Sequence, residues 1–357
     1  MRSLVDTVLD AERRLRCAYL RSPAAELAAL DTGVQTAYHL VRRAAATPLY
    51  LRQQVALWRG SCDGVPLAVL TWGKRRNRRR LCSLLFDEPP VANWLGARPI
   101  SSVLWLRGGF TADADVLIAE TTPTLAPAFR WRGFSIVPEV VRFGTAVGPL
   151  AIGGRKHRSR RKEMNRLRRQ AFRAEIRRHA PALTREFHQR FLLPTAIARF
   201  GADATCDALE AIEQLAAAGC FIVVSRAERS EPDAMGLVVR HGATLSLLRV
   251  GVRDGRADLR QLGALAAIDA FAREYALRQG VRWLDEGRGN PWLKDSRAAY
   301  KMKWGCQPTL DLGQTQELAI KFVRAHKTAA SRLFENQVVV RQGSRLSTWP
   351  ADRPQSV

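Results

Sequence analysis

The residues whose types and spacing could do chemistry in this chain are first of all cations. Between Arg155 and Arg178, twelve lysines and arginines stand against only Glu163 and Glu175, a net charge of +10 over that stretch. Guanidinium and ammonium groups at this density hold phosphate or carboxylate, either as a nucleic-acid handle or as the basic wall of an enzyme site. A second cluster, KRRNRRR at 74–80, reads as a solvated hairpin tip that could also meet nucleic acid or lipid. His157, His179, His188, His241 and His326 show no metal-ligand spacing, so no metal is expected. The six cysteines contain no C-x-x-C, and no Ser/His/Asp or Cys/His grouping supplies a covalent nucleophile. What remains is anion binding and acid–base work by positioned side chains.

Composition frames that chemistry. The 357 residues carry a formal charge of +24, with 57 basic residues of which only eight are lysine. Such a field attracts polyanions: nucleic acid, anionic lipid, phosphorylated sugars or a phosphate-rich cofactor. Hydrophobic residues at 46% and charged residues at 25% fit a globular protein, and the length suggests two domains of roughly 150 residues each. No apolar run is long enough to span a bilayer, and Asp6, Asp10 and Glu12 interrupt the N-terminal residues where a signal peptide would need an apolar block. A cytoplasmic protein with reduced thiols is expected.

The elements that must position these groups follow from periodicity. Residues 1–45 read as an N-terminal helical segment, with Leu4, Val8 and Leu15 at near-helical spacing. From 46 to 150 the texture is that of strands: LYLRQQVALWRG, GVPLAVLTWG, RRLCSLLFD, SSVLWLRGG, DVLIAET and FSIVPEVVRFG. Gly148, Pro149, Gly153 and Gly154 mark a boundary, after which a basic helix starts near Ser159 with Met164, Leu167, Ala171 and Ala174 along one narrow apolar face. ATCDALEAIEQLAAAG is a helix, and three strands follow it in quick succession, CFIVVSRAE, AMGLVVRHG and TLSLLRVGV. DLRQLGALAAIDAFAREYALRQG then reads as one long helix stopped by Gly280, VRWLDEG as a strand, LKDSRAAYKMKWG as a helix and CQPTLDLG as a last strand. The order over 220–313 is therefore β-β-β-α-β-α-β, followed by a C-terminal helix and strand at 314–340 and a flexible tail at 341–357.

That order, ending in RAAYKMKWGC, resembles the GNAT N-acyltransferase superfamily, whose last helix commonly carries a Tyr-x-Lys-x-Gly-Phe-like ending. Tyr300, Lys301, Lys303, Trp304, Gly305 and Cys306 stand there, with one extra residue before the glycine and Cys where Phe would be. The pairing of the basic helix HRSRRKEMNRLRR with the later WLDEGRGN and AYKMKWG resembles the CelD-like and FemAB-like branch, whose members have two GNAT-like halves. The resemblance implies an α/β (α+β) fold of tandem GNAT-like halves, each a mixed, mostly antiparallel sheet flanked by helices, with a degenerate half at 46–150 and the acyltransferase half at 155–313.

It also implies roles. The superfamily binds the acyl-CoA pyrophosphate on main-chain N–H groups where a strand ends and the long helix begins, a place where free amides and the helix dipole converge. Two segments are candidates, RQLGAL with Arg260, Gln261 and Gly263, which is favoured, and VRDGRA at 252–257. Asp285 matches the aspartate of the relatives' Asp-x-Gly-x-Gly segment, and Asp285 or its neighbour Glu286 would assist deprotonation of an amine. Tyr300 would protonate the departing thiolate, while Arg158, Arg161, Lys162 and Lys301 would line the wall for phosphates or an anionic acceptor. The expected reaction is transfer of an acyl group, acetyl in the first place, from acetyl-CoA or another acyl-CoA to an amine on a small molecule, a sugar or an envelope precursor, by direct attack in a ternary complex. One rival is a FemAB-like transferase that takes its aminoacyl group from charged tRNA. The other is a non-catalytic nucleic-acid-binding protein on the same fold.

Overall fold

A computed structural model describes residues 47–73, 84–104, 113–148, 158–201, 204, 206–229, 231–311, 314–324, 327–335, 338–342 and 345–349. The expected N-terminal helices at 1–45 and the KRRNRRR cluster lie outside the described residues. In the first half, β1 (Arg52–Cys62) and β2 (Val65–Trp72) form an antiparallel hairpin. Asp63 and Gly64 at its tip have φ of 50° and 73°, the left-handed pair that a two-residue hairpin turn needs. The Asp87 carboxylate accepts the N–H of both, each at 3.1 Å. β3 (Val91–Pro99) covers the other edge of β1, and α1 (Ser101–Leu104) follows it. β4 (Val116–Thr121) is buried throughout and runs parallel to β2; α2 (Ala126–Trp131) then leads to β5 (Ser135–Pro138).

β6 (Val141–Ala146) leaves this sheet for the second one. There α3 (Arg158–Arg169) turns at Ala171, φ 47°, into β7 (Phe172–Arg178), the edge strand. α4 (Pro181–Glu186), a π-helical turn (Phe187–Leu192) and α5 (Leu193–Phe200) follow, then α6 (Leu209–Ala217). β8 (Gly219–Arg226), β9 (Ala234–His241) and β10 (Thr244–Val252) form the expected antiparallel meander. α7 (Ala257–Leu262) and α8 (Ala264–Arg278) precede β11 (Trp283–Gly289), α9 (Ser296–Lys303) and β12 (Gln307–Thr309). The chain then returns to the first sheet as β13 (Glu317–Phe322) and closes with α10 (Lys327–Glu335) and the hairpin β14 (Val338–Gln342) and β15 (Arg345–Trp349).

The two sheets have the same plan. The order β1-β2-β4-β13-β5 in the first corresponds to β9-β10-β11-β6-β12 in the second. In each, two strands pair in parallel, β2 with β4 and β10 with β11, and every other contact is antiparallel. In each, the strand beyond the parallel pair comes from the other half: β6 crosses into the second sheet and β13 into the first. The expected architecture of tandem, mixed and mostly antiparallel sheets flanked by helices is therefore present, with the halves locked by a reciprocal exchange of strands.

Several elements differ from expectation for local reasons. The basic helix ends at Arg169, so Ala174, read as part of its apolar face, belongs to β7. The long helix is two, because Gly263 with φ 97° breaks the helical backbone between α7 and α8. SSVLWLRGG begins as α1 instead of a strand, and Leu84–Leu85 of RRLCSLLFD are helical. Arg345–Trp349, read as part of the tail, pairs with β14 in register from Arg345–Gln342 to Trp349–Val338.

Phe143 on the exchanged strand β6 is fully buried with Leu293, Ala298, Cys306 and Val339, so it ties the crossing strand to residues of the second half. Phe143→Ala should cost about 3–5 kcal/mol of unfolding free energy in urea titration. Because each sheet contains a strand of the other half, tryptophan fluorescence and far-UV circular dichroism should report one coincident transition for both.

Candidate functional site

β10 and β11 pair only from Thr244–Ser246 to Trp283–Asp285. Beyond these residues β10 bulges between Leu247 and Arg249 and β11 bulges between Asp285 and Arg288, with Gly287 at φ 78°. The parallel strands therefore part in the middle of the sheet. Successive strand residues project to opposite faces, so Asp285 and Glu286 cannot serve the same face. Asp285 lies with its register partner Ser246, and Glu286 lies towards α8.

On the Asp285 face the carboxylate is fully engaged. It is paired with Arg142 of β6, accepts Ser246 Oγ at 3.2 Å and accepts the Gly287 N–H at 2.9 Å. Arg142 also stands 4.0 Å from Asp311, which is in turn paired with Arg288. The exchanged strand thus brings the counter-cation of Asp285, a partner no local motif around Asp285 announces.

The Glu286 face holds a buried set of titratable groups. The Tyr300 hydroxyl donates to Asp269 of α8 at 2.5 Å. Burial first, and the Glu286 carboxylate second, push the Asp269 carboxyl up to about 8. Burial likewise raises Glu286 above the ordinary carboxylate range, while a hydrogen bond from the Cys306 thiol opposes the rise. Tyr300 is driven well above the usual phenol range by burial and by Asp269. Asp269 and Tyr300 keep partial access to solvent while feeling strong desolvation, which places them in the wall of a recess. Lys301 is committed elsewhere: Nζ donates to the carbonyls of Glu286 at 2.6 Å, Gly287 at 3.1 Å and Arg288 at 2.9 Å. An ammonium has three hydrogens, and all three are used to hold the bulged end of β11.

Around this recess the charge is positive. Arg199 of α5, Arg260 of α7 and Arg297 in the first turn of α9 lie close enough that Arg297 and Arg260, after burial, depress the Arg199 guanidinium, and Tyr300 lies within the same field. Nε of Arg260 is buried without a hydrogen-bond partner. Arg260, Gln261 and Gly263 sit at the joint from which α8 starts. Arg166 of the basic helix covers that joint, donating to Gln261 O at 3.0 Å, and a Cβ at Gly263 would stand 2.8 Å from its guanidinium. The alternative segment VRDGRA forms the turn after β10, where Arg253 is buried and engaged with Glu231 and, at 3.6 Å, with Asp233.

The basic helix divides its cations between two tasks. Its inner face clamps the second half: Arg160 donates to Lys303 O at 2.9 Å, and Glu163 is held by Arg166 and, at 2.6 Å, by Lys303. Arg158, Arg161 and Lys162, the expected wall, are exposed on the outer face. The structure thus gathers Glu286 and Tyr300 with Lys301 beneath them, sets Asp285 behind, and places the three outer cations on open surface. Asp269, Arg199 and Arg297 were not singled out from sequence. For Asp269 a signal existed: an acid between Ile268 and Ala272 on an otherwise apolar face, with Arg273 one turn on. Among the described residues, no group of three or more His, Cys, Asp or Glu could hold a metal, and no helix is long and apolar enough to cross a membrane.

No protein-family model and no curated protein matches the chain. Among solved structures it is similar to FemX, with 13% identity and a TM-score of 0.39 over 75% of this chain and 84% of that one. It is also similar to L-PGS from Bacillus licheniformis, with 12% identity and a TM-score of 0.38 over 81% and 87% of the two chains. A GCN5-related N-acetyltransferase from Sphaerobacter thermophilus matches at 13% identity and a TM-score of 0.33 over 76% and 81%. These likenesses are remote.

Lys301→Met keeps the apolar stem and removes all three donors from the β11 carbonyls. It should lower the free energy of unfolding by about 2–3 kcal/mol, where an exposed lysine with no structural task would change it by about 0.5 kcal/mol or less. Urea unfolding of the ligand-free protein decides between them.

Proposed function

We propose that the protein is an N-acyltransferase that moves an acyl group, in the first place acetyl, from an acyl-CoA to an amine of a small molecule, a sugar or a cell-envelope precursor. The observation that carries this reading is the parting of the parallel strands β10 and β11 after Ser246 and Asp285, with Tyr300 on the helix beside the opening. Past that point the β10 main-chain groups on that side no longer pair with β11, so an N–H there is free to receive a thioester carbonyl and the negative charge that develops on it. The thioester would lie in the opening, the phosphates of the donor towards Arg260, Arg199 and Arg297, and the main chain at Gly263.

In this reading the amine attacks the carbonyl directly, and no covalent enzyme intermediate forms. Asp285 faces the side of the sheet away from α8, where the acceptor would enter, and it can take the proton of the amine directly or through water, provided one of its present donors gives way. Glu286 lies on the donor side with Tyr300. Tyr300 supplies the proton that converts the departing thiolate to thiol. A charged tRNA as donor is the second reading, favoured by the exposed cations Arg158, Arg161 and Lys162 on the outer face of α3.

Calorimetric titration of the nucleic-acid-free protein with acetyl-CoA tests the first reading. Saturable one-to-one binding is expected, with Arg260→Ala weakening it about tenfold or more through loss of a charge-assisted phosphate contact. Tyr300→Phe should leave that affinity nearly intact and lower turnover by about 100-fold. Absence of binding by acetyl-CoA, together with binding of aminoacyl-tRNA that Arg158→Ala with Arg161→Ala weakens, would transfer the assignment to the second reading.

A further inference from the structure

The hydroxyl of Tyr300 has one proton, and it points at Asp269, 2.5 Å away, not into the opening between β10 and β11. Tyr300 can deliver that proton to a leaving group turnover after turnover only if something restores it, and among the described residues the oxygen placed to do so belongs to the Asp269 carboxyl. We propose that Asp269 is the positioning residue of Tyr300, orienting the phenol and holding the replacement proton. The role in turnover rests on the acyl-transfer reading, whereas the proton on Asp269 does not.

The step balances. When the phenol turns so that it accepts from the Asp269 acid, its own O–H is released from Asp269 to face the sulfur, and as the C–S bond of the donor breaks that proton passes to sulfur and gives the thiol. The carboxylic O–H of Asp269 passes to the phenolate oxygen, so Tyr300 ends the step as a phenol and Asp269 as a carboxylate. The proton that the acceptor nitrogen loses on forming the amide passes to Asp285 and on to solvent on the far face of the sheet, while Asp269 regains its acid form by taking one proton from solvent, so the protons balance. No oxidant, metal or further reactant is consumed.

The surroundings favour a neutral Asp269. Glu286 faces it from β11, and Lys301 from α9 and Arg273 from α8 itself are the cations in reach, with the Cys306 thiol beyond them. Both cations are held by other groups: Lys301 by three carbonyls and Arg273 by Trp304 O at 2.9 Å. Burial and the second carboxylate therefore outweigh them, and the Asp269 carboxyl is raised to about 8. The acid form prevails below that pH and is lost above it, so the proton reserve empties as pH rises through about 8.

Infrared difference spectroscopy between about pH 6 and about pH 10 reads the proton directly, because a protonated carboxyl has its own C=O stretch. The native protein should show that band and lose it with a midpoint near 8. Asp269→Asn should abolish it. Tyr300→Phe should move the midpoint upwards, because the phenol donor stabilises the carboxylate, and Glu286→Gln should move it downwards. In parallel, thiol release from acetyl-CoA with hydroxylamine as a small acceptor should fall above the same midpoint in the native protein. Asp269→Asn, which can still accept from the phenol but carries no proton, should fall about 100-fold and lose that basic limb. A missing band at neutral pH, a band that survives in Asp269→Asn, or an unchanged pH profile in that variant overturns the proposal. A band that behaves as expected in a native protein that turns over no acetyl-CoA overturns the acyl-transfer reading alone.

Discussion

The site depends on the ammonium of Lys301. Once β11 bulges after Asp285, Glu286 and Gly287 fall out of register with β6 before pairing resumes at Arg288, and main-chain acceptors left without donors in a buried setting are costly. Lys301 answers the carbonyls of Glu286, Gly287 and Arg288 at once. With that anchor the end of β11 stays apart from β10, Glu286 is directed to the α8 side, and the helical turn that carries Lys301 delivers its neighbour Tyr300 to Asp269. The aromatic ring of Phe143 on the exchanged strand lies 5.4 Å from the same ammonium, so the reciprocal strand and the bulge support one another.

The basic helix, which dominates the sequence, is first a clamp and only then a surface. Arg160 and Arg166 reach the end of α9 and the start of α8, the two helices that bear Tyr300 and Asp269. Gly305, at φ 88°, and Gly263 are the places where those guanidiniums approach the main chain, at 3.0 Å and 2.8 Å from where a Cβ would be. Arg166 at the start of α8 and Arg297 in the first turn of α9 oppose the helix dipoles, whereas Arg260 stands in the last turn of α7, where a cation is favoured. An anion held nearby would offset the two opposed cations.

Much of this was legible in the sequence. Strand and helix periods over 219–309 match the observed order of elements, and Tyr300 lies on a helix as read, because both are local patterns. What escaped were the long-range pairings. Arg142 belongs to a strand that reads as part of the first half, yet it is the partner of Asp285 across 143 positions of sequence. Lys301 looked like an exposed phosphate ligand because a lysine in an amphipathic helix gives no sign that three carbonyls will converge on it. Asp285 and Glu286 looked like alternatives for one task, although strand geometry alone sets them on opposite faces. The break at Gly263 was available from composition, but the apolar period runs through it and masks it.

The pseudo-repeat lets the ends of the two parallel strand pairs be compared residue by residue. In the first sheet the parallel pair β2 and β4 ends at Trp72 and Ala119, the counterpart of Ser246 and Asp285. There the next residues are Gly73, at φ 149°, and Glu120, whose side chain lies against the glycine where any Cβ would overlap it. Glu120 is 2% exposed, and its carbonyl accepts Gln53 Nε2 at 3.2 Å, so the gap between the strands is filled by the protein itself. In the second sheet the counterparts of Gly73 and Glu120 are Leu247 and Glu286, and Glu286, likewise an acid, is turned towards Asp269 of α8. Two sheets of one plan thus carry a glutamate at the same position, packed against Gly73 in the first and facing Asp269 beside Tyr300 in the second. The same buried acid therefore packs on the strand end in one half and belongs to a set of titratable groups in the other, the half in which Tyr300 and Asp269 come together.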